Sequence, residues 1–178
     1  MTVIYTIGHS TRSLEEFLAL LRQHEIELLA DVRSYPSSRK FPQFNQAALA
    51  EALSREGIEY RWYRALGGRR HGAPLADSPN RGLRSPGFRN YADHMRSADF
   101  QAAAADLRAL ARSRRLALMC AERLYWRCHR RLLSDYLSAQ GDEVLHIESA
   151  DRLLPHELTP GARSENGEVT YPGEGSLF

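Results

Sequence analysis

Five short apolar runs, separated by stretches of helical periodicity, constrain the fold of this chain more than any other feature. The runs cover residues 3–7, 28–32, 58–63, 116–120 and 143–147. After the first run, Ser13 and Glu16 have the spacing of a capping box, and apolar residues then recur at i, i+3, i+4 and i+7. Strands that alternate with helices predict a parallel sheet covered on both faces. We therefore expect an α/β fold, a three-layer Rossmann-like sandwich with a mainly parallel five-stranded sheet and helices on both faces.

The strand order decides which loops meet. In the common doubly wound order 3-2-1-4-5, the first and fourth strands are neighbours, and a crevice opens at their carboxyl ends. Loops 8–13 and 120–127 would then face each other, with Asp31 and Arg33 one strand away. This edge of the sheet is where we expect a ligand.

The length of 178 residues suits one domain, which we place at 1–158, followed by a tail over 159–178. The tail is rich in Gly, Pro, Glu and Ser, a composition typical of flexible segments. No apolar run approaches the roughly 20 residues of a membrane helix, and no signal segment is recognisable. We expect a cytoplasmic protein with no membrane contact.

A long arginine-rich loop is predicted over 69–90, before a helical stretch that breaks near Ser97. Residues 61–89 hold seven arginines against the single acid Asp77, although the net charge of the whole chain is only +2. Gly67, Gly68 and Arg69 could approach a phosphate, with aromatic residues nearby, including His71 and Phe88, to stack on bases. The alternative is a solvated basic loop.

Both cysteines lie in residues 116–131, between a buried strand and an amphipathic helix. Cys120, at a strand end near a helix start, is expected to have a lowered pKa and to act as a nucleophile. The loop lacks the C-x5-R pattern of thiol phosphatases, because Trp126 stands six residues after Cys120. The alternative for Cys120 is a buried, inert side chain.

The same stretch could serve a metal or redox protein. Cys120, Glu122, Cys128 and His129 are suitable donors, with His9 as a further ligand, but C-x7-C-H is not a usual zinc spacing. We assign no metal ligands and leave the cofactor unknown. Cys128 and His129 also fit the apolar stripe of the following helix, so packing is an alternative for both.

Two carboxylates, Asp31 and Glu122, are candidates for acid–base work in the crevice. Their alternative role is an ion pair with Arg33 or Arg130, since a buried arginine needs such a partner. His9 is a candidate acid, base or phosphate contact.

The last residues, with Leu177 and Phe178, are similar to the short peptides that bacterial replication and repair proteins insert into the sliding clamp. An acidic flexible tail with two apolar anchors suits such a pocket. Packing of these two side chains on the protein's own surface is the alternative.

Four motifs in order resemble a known family. They are Ile7-Gly8-His9-Ser10, Asp31-Val32-Arg33 with Pro36 and Ser38, Leu66-Gly67-Gly68, and Cys120-Ala121-Glu122 followed by Cys128-His129-Arg130. Together, over about residues 3–150, they resemble the bacterial and archaeal domain of unknown function family 488. The resemblance implies a Rossmann-like α/β fold and marks the motifs as the family's signature, without a settled activity.

The leading hypothesis is an enzyme that acts on or binds a phosphate-bearing ligand, a nucleotide or nucleic acid, at the carboxyl edge of the sheet. The catalytic candidates are Cys120, Glu122, His9, Asp31 and His129. The ligand-binding candidates are Ser10, Arg33, Ser38, Gly67, Gly68, Arg69, Cys128 and Arg130. The alternatives are a non-enzymatic nucleic-acid-binding adaptor, and a metal or redox protein that uses Cys120, Cys128 and His129.

Overall fold

The apolar runs form the strands of one sheet in the structure, a computed structural model that describes residues 1–70, 72 and 75–173. The strands of this sheet are β1 (Val3–Gly8), β2 (Leu28–Asp31), β3 (Glu59–Trp62), β4 (Leu116–Cys120), β5 (Glu143–Ser149) and β6 (Arg152–Pro155). The helices are α1 (Leu14–Gln23), α2 (Gln46–Arg55), α3 (Pro86–His94), α4 (Ala98–Ala111) and α5 (Arg130–Ala139). The break predicted near Ser97 is the boundary between α3 and α4, where the Ser97 side chain caps α4.

The sheet has the order β3-β2-β4-β1-β5-β6, and all its strands are parallel except β6. The α/β fold with a mostly parallel sheet is confirmed. Two details differ from the prediction. The sheet has six strands, because the chain turns back between Ser149 and Arg152 and adds β6 as an antiparallel edge, with an irregular register between Ile147 and Ser149.

The predicted order 3-2-1-4-5 is wrong, because β4 lies between β2 and β1. Met119 of β4 is the partner of both Ile7 in β1 and Asp31 in β2. The predicted contact of β1 with β4 is retained, and β2 now borders β4 directly. The carboxyl ends of three adjacent strands therefore meet at one place.

Helices cover both faces of the sheet. Strand residues alternate between two cores, with Leu118 on one face and its neighbours Ala117 and Met119 on the other. The core that contains Leu118 packs against α3, α4 and α5, and the opposite core packs against α1 and α2. The loops after β1 and β4 thus lead to helices on opposite faces, the arrangement that opens a crevice between adjacent strands.

Residues 159–173 are part of the fold. They include a hairpin of β7 (Arg163–Glu165) and β8 (Glu168–Thr170), and they bury Val169 and Tyr171. The Tyr171 hydroxyl donates to Asp135 Oδ2 at 2.6 Å. The polar composition predicted a flexible tail, but two apolar side chains are enough to attach this segment to the core.

Two groups of predicted residues lie outside the described part of the chain. They are His71 of the arginine-rich loop and the two apolar residues of the tail, Leu177 and Phe178. Within the described ranges, no helix has the length and apolar character required to cross a membrane.

Candidate functional site

A cleft of about 1130 Å³ opens at the carboxyl ends of β1, β2 and β4. Its walls come from the loops that follow these strands, with contributions from residues 68–69, the start of α3 and the end of β5. Ten predicted site residues line it: His9, Ser10, Arg33, Ser38, Gly68, Arg69, Cys120, Glu122, Cys128 and His129. Asp31, Gly67 and Arg130 do not line the cleft.

Asp31 lies behind the cleft and holds Arg33 in a two-pronged ion pair. Arg33 donates from Nε to Asp31 Oδ1 at 2.9 Å and from Nη2 to Oδ2 at 2.7 Å. Asp31 is completely buried and Arg33 is only 6% exposed. The contacts of Asp31 are therefore those of an ion-pair partner, the alternative to a general base.

Tyr60 of β3 fixes the position of this carboxylate from the other side. Its hydroxyl donates to Asp31 Oδ2 at 2.5 Å, and burial, together with the Asp31 charge, raises the pKa of Tyr60. The phenol therefore stays protonated and keeps donating. Tyr60 was not predicted as a site residue, although the pairing of β3 with β2 places it two positions before Trp62, the partner of Asp31.

One nitrogen of Arg33 has no hydrogen-bond partner in the part of the chain that the structure describes. Nε and Nη2 both bond Asp31, whereas Nη1 is buried without a hydrogen bond to any described residue. Buried donors without a partner are rare in folded proteins and require an explanation. Arg33 as a residue lines the cleft and is 6% exposed, so its guanidinium lies at the boundary between the cleft and the interior.

Positive charge dominates the cleft wall. Among the described residues, five cationic side chains line it, against the carboxylates of Glu122 and Glu148. The cations are Arg33, Lys40, Arg69, Arg123 and Arg127. Arg123 and Arg127 were not predicted as site residues, although both lie in the loop that carries Glu122 and precedes Cys128.

The two cysteines are in contact near the N-terminus of α5. Cys120 ends β4, Cys128 precedes the first helical residue by two positions, and their Sγ atoms are 3.2 Å apart. Cys120 is 2% exposed, whereas Cys128 is half-buried. The chain contains only these two cysteines, so the contact involves its whole complement of thiols.

The environments of the two thiols are unequal. Burial raises the pKa of Cys120, which contradicts the expectation of a lowered pKa there. Burial acts in the same direction on Cys128, but the hydrogen bond with Cys120 and the charge of Arg130 outweigh it and lower the pKa of Cys128. The Arg130 backbone N–H also donates to Cys128 Sγ at 3.4 Å. The pair therefore favours a thiolate on Cys128 and a thiol on Cys120.

His129 is held neutral beside Cys128. Its Nε2 lies 2.8 Å from the Val32 carbonyl, and because a carbonyl only accepts, Nε2 carries the proton and Nδ1 is the acceptor. Burial lowers the pKa of His129, and the ring packs at 5.1 Å from that of Tyr91. Both predicted alternatives for this residue, core packing and cleft lining, hold at once.

His9 is a second neutral histidine on the opposite wall. Its Nδ1 lies 3.0 Å from the carbonyl of Ser10, which assigns the proton to Nδ1 and leaves Nε2 unprotonated. The ring stacks on Phe44 at 4.5 Å, and burial lowers its pKa. Phe44 was not predicted as a neighbour of His9. It lies in the loop after β2, and no local sequence pattern indicates that this loop contacts the residue that follows β1.

Three predicted polar residues shape the loops. Ser10 adopts a positive φ of 50°, and its N–H donates to the Ala121 carbonyl, which joins the loops after β1 and β4. The Ser38 hydroxyl accepts from the Phe41 N–H at 2.9 Å. Glu122 is exposed at the cleft rim, and its carbonyl accepts from Arg130 Nη2 at 2.6 Å.

The predicted glycine pair makes room for protein atoms. A β-carbon on Gly67 would lie 2.6 Å from the Ser34 hydroxyl oxygen, and one on Gly68 would lie 2.4 Å from His129 Nδ1. Gly8 is tighter still, because a β-carbon there would lie 1.7 Å from the Glu122 carbonyl oxygen. These contacts show close packing between loops, and the approach of the glycine pair to a phosphate stays a prediction.

Arg130 is buried beneath the cysteines at 1% exposure and bonds inward. Nη2 donates to the carbonyls of Glu122 and Arg123, and Nη1 donates to Thr6 Oγ1 at 3.0 Å. Arg130 thus holds the cysteine loop in place and supplies positive charge next to the sulfurs, and it does not line the cleft itself.

A buried chain of hydrogen bonds continues from Thr6 to Asp135. His146 Nδ1 lies 2.6 Å from Thr6 Oγ1, His146 Nε2 lies 2.9 Å from His156 Nδ1, and His156 Nε2 lies 2.7 Å from Asp135 Oδ1. Asp135 accepts, so each group can donate to the next one along the chain. The network is therefore directional: it starts at the Arg130 guanidinium and ends at the buried Asp135 carboxylate. It was not predicted.

Metal ligation has no geometric support among the residues described. No group of three or more His, Cys, Asp or Glu side chains is arranged there as a metal site. Cys120 and Cys128 instead form a hydrogen bond with each other.

Comparison with known proteins gives a family and no function. Comparisons with curated proteins and with solved structures found no match. The model of one family, described as a domain of unknown function, matches residues 13–137, which include three of the four motifs and begin after His9. Because this match covers more than half of the chain, the protein belongs to the DUF488 family.

Proposed function

We propose that this protein is an enzyme that binds a phosphate-bearing small molecule, a nucleotide being the best fit, in the cleft at the carboxyl edge of the sheet. The observation that carries the proposal is Arg33. Its guanidinium is oriented by Asp31 and Tyr60, and Nη1 is left without a protein partner among the described residues.

This arrangement suits an anion for a physical reason. A guanidinium is a planar fork, so bonding Nε and Nη2 to one carboxylate fixes the direction of Nη1. Asp31 also neutralises the buried charge, which makes the ion pair tolerable before a ligand arrives. An oxygen of a phosphate would then complete the hydrogen bonds of Arg33.

The other cations extend the same preference over the cleft. Lys40, Arg69, Arg123 and Arg127 are all on its wall. A concave site lined by one sign of charge raises the local concentration of a ligand of opposite sign. Phe41 and Phe88 line the cleft too and offer apolar surface for a base.

The groups for chemistry lie on the same walls. Cys128 supplies the thiolate, and neutral His9 and His129 each have one unprotonated ring nitrogen. A nucleophile and two proton acceptors around an anion site are the components of group transfer from or to a bound nucleotide.

The test of binding is calorimetric titration with inorganic phosphate and with adenosine monophosphate. Arg33→Lys keeps a positive charge beside Asp31 but cannot donate to both a carboxylate and a ligand in the same fork geometry. We expect at least about tenfold weaker binding, equivalent to about 1.4 kcal/mol. Equal affinity of the folded variant and the wild type would overturn the proposal, as would the absence of binding by the wild type.

A charge-matched control separates the cleft from general electrostatics. Arg123→Ala combined with Arg127→Ala removes two cleft cations, whereas Arg22→Ala combined with Arg55→Ala removes two exposed arginines outside the cleft. We expect the first to weaken phosphate binding and the second to leave it unchanged. Bound adenosine monophosphate should also slow alkylation of Cys128 by iodoacetamide.

A nucleic-acid adaptor remains the second candidate function, because of the arginines on the cleft rim. It predicts affinity for a single-stranded oligonucleotide that falls steeply with salt and is unchanged by Cys128→Ser. Binding of the oligonucleotide without binding of adenosine monophosphate would favour the adaptor over the enzyme.

A further inference from the structure

The contact between the cysteines is unusual because both residues also line the cleft. Their Sγ atoms lie 3.2 Å apart, and a disulfide requires them to approach to about 2.0 Å. They come from two different elements, the end of β4 and the loop before α5, so a small shift of Cys128 relative to the strand would bring the sulfurs to bonding distance. A thiol pair of this kind can form a disulfide and be reduced again while both residues stay in the site.

The exposure of the pair indicates an order of reaction. Cys128 is half-buried on the cleft wall, whereas Cys120 is 2% exposed and lies deeper. A molecule entering the cleft therefore reaches Cys128 first. Cys120 is within reach of Cys128 but shielded from the solvent, which is the position of a resolving thiol.

The surroundings of Cys128 stabilise the reactive form. Its sulfur accepts a hydrogen bond from the Arg130 N–H in the first turn of the ten-residue helix α5. Thiolates near helix N-termini and cationic side chains are the attacking species in thiol–disulfide exchange. Cys120 has the opposite surroundings and keeps its proton until the first step is complete.

We propose that Cys128 and Cys120 form an exchange pair that reduces an organic disulfide bound in the cleft. The Cys128 thiolate attacks one sulfur of the substrate, forms a mixed disulfide and releases the first substrate thiolate. Cys120 transfers its proton to that thiolate, and its sulfur then attacks Cys128 Sγ. The second substrate thiolate leaves, the substrate disulfide has gained two electrons, and the two cysteines have lost them as a Cys120–Cys128 disulfide.

The cleft charge narrows the class of substrate. Its five cations against two carboxylates favour a disulfide that carries carboxylates or phosphates. This activity depends on the cysteine pair and not on the Arg33 contact, so it stands apart from the proposed phosphate binding.

The experiment uses the full chain and dithiobis(nitrobenzoate), an aromatic disulfide with two carboxylates whose thiolate product is coloured. Wild type should release two thiolates per chain and retain no adduct in the mass spectrum, because the internal disulfide forms. Cys120→Ser should release one and retain one adduct. Cys128→Ser should lose the rapid phase, since the remaining thiol is buried.

Three results would overturn the proposal: two stable adducts on the wild type, rapid labelling of Cys128→Ser, or full resolution in Cys120→Ser. Neutral dithiodipyridine is the control for charge. Arg123→Ala with Arg127→Ala should slow the reaction with the anionic disulfide about tenfold, if each lost cation contributes roughly half a decade, and leave that with the neutral one unchanged. Titration of Cys128→Ser with phosphate tests phosphate binding separately, so either proposal can fail alone.

Discussion

The ring of His129 occupies the space that a side chain on Gly68 would need. An ideal β-carbon at Gly68 would lie 2.4 Å from His129 Nδ1. Because His129 is itself tied to the Val32 carbonyl and packed against Tyr91, it has little freedom to retreat. Gly68 therefore sets the distance between the arginine-rich loop and the cysteine loop.

Gly68→Ala should displace His129 and lower stability by about 1–3 kcal/mol, the usual cost of overpacking. Urea unfolding measures the change. Gly87→Ala is the matched control, because its β-carbon would meet only Ser85 Oγ at an ordinary 3.7 Å, within helix α3. Equal stabilities of the two variants would contradict the packing argument.

Tyr60→Phe should weaken the support of Asp31. The change removes a hydrogen bond to a buried carboxylate, and we expect a loss of about 1.5–3 kcal/mol in urea unfolding. Tyr136→Phe is the control, since no hydrogen bond of the half-buried Tyr136 hydroxyl occurs among the described residues. Phosphate affinity should also fall in Tyr60→Phe if Asp31 orients Arg33, and should stay unchanged in the control.

Stability should decrease below about pH 6.5, the ordinary histidine pKa. Burial, His156 and Arg130 lower the pKa of His146 to about 2, so the native state keeps this ring neutral while the unfolded chain takes up a proton. The contribution is complete above pH 6.5 and is lost progressively as the pH falls from 6.5 towards 2. One such proton changes the unfolding free energy by about 1.4 kcal/mol per pH unit.

Urea unfolding at pH 7, 6 and 5 measures this slope. His146→Gln should reduce the slope by about one proton, whereas the more exposed His24 should matter less in His24→Gln. If His146→Gln does not fold, the wild-type imidazole resonances provide the check. A His146 signal that titrates near pH 6.5 would contradict the prediction.

Alkylation of Cys128 by iodoacetamide should persist well below the usual thiol pKa of about 8.5. Burial opposes this, but the hydrogen bond with Cys120 and the charge of Arg130 lower the pKa of Cys128. Among the described residues, two acids line the same cleft, Glu122 and Glu148. The measurement is the alkylation rate of the Cys128 peptide between pH 5.5 and 9.

Cys120→Ala removes the hydrogen-bond donor, so the midpoint of this pH profile should move upward. Cys120→Ser keeps a donor and should restore much of the wild-type profile. A midpoint that is the same in all three proteins would show that Cys120 has no part in activating Cys128.

The elements of the fold could be predicted because each carries a local signal. The unbroken apolar run that includes Leu118 and Met119 indicates a strand buried on both faces. Ser13 and Glu16 indicate a helix start, and the structure shows them as a capping box. Strand order has no such signal. β1 and β4 are both buried on both faces, so their patterns do not say that β4 borders β2.

The site residues that could be predicted are those that directly follow or end a strand. His9, Arg33 and Cys120 all come within two residues of a strand end, and parallel strands bring such positions together. The contact of His146 with Thr6 could not be predicted, because it joins residues 140 positions apart. The different states of Cys120 and Cys128 also depend on relative burial, which a sequence pattern does not supply.

The position of β1 in the sheet has a consequence for biosynthesis. Its neighbours β4 and β5 follow more than a hundred residues later, with Tyr5 paired to Ala117 and Val3 to Glu143. At about 5–20 residues per second, the ribosome needs on the order of ten seconds to deliver these partners. β1 is therefore an apolar strand that is synthesised long before both of its partners, and such a nascent segment depends on shielding until β4 and β5 have emerged.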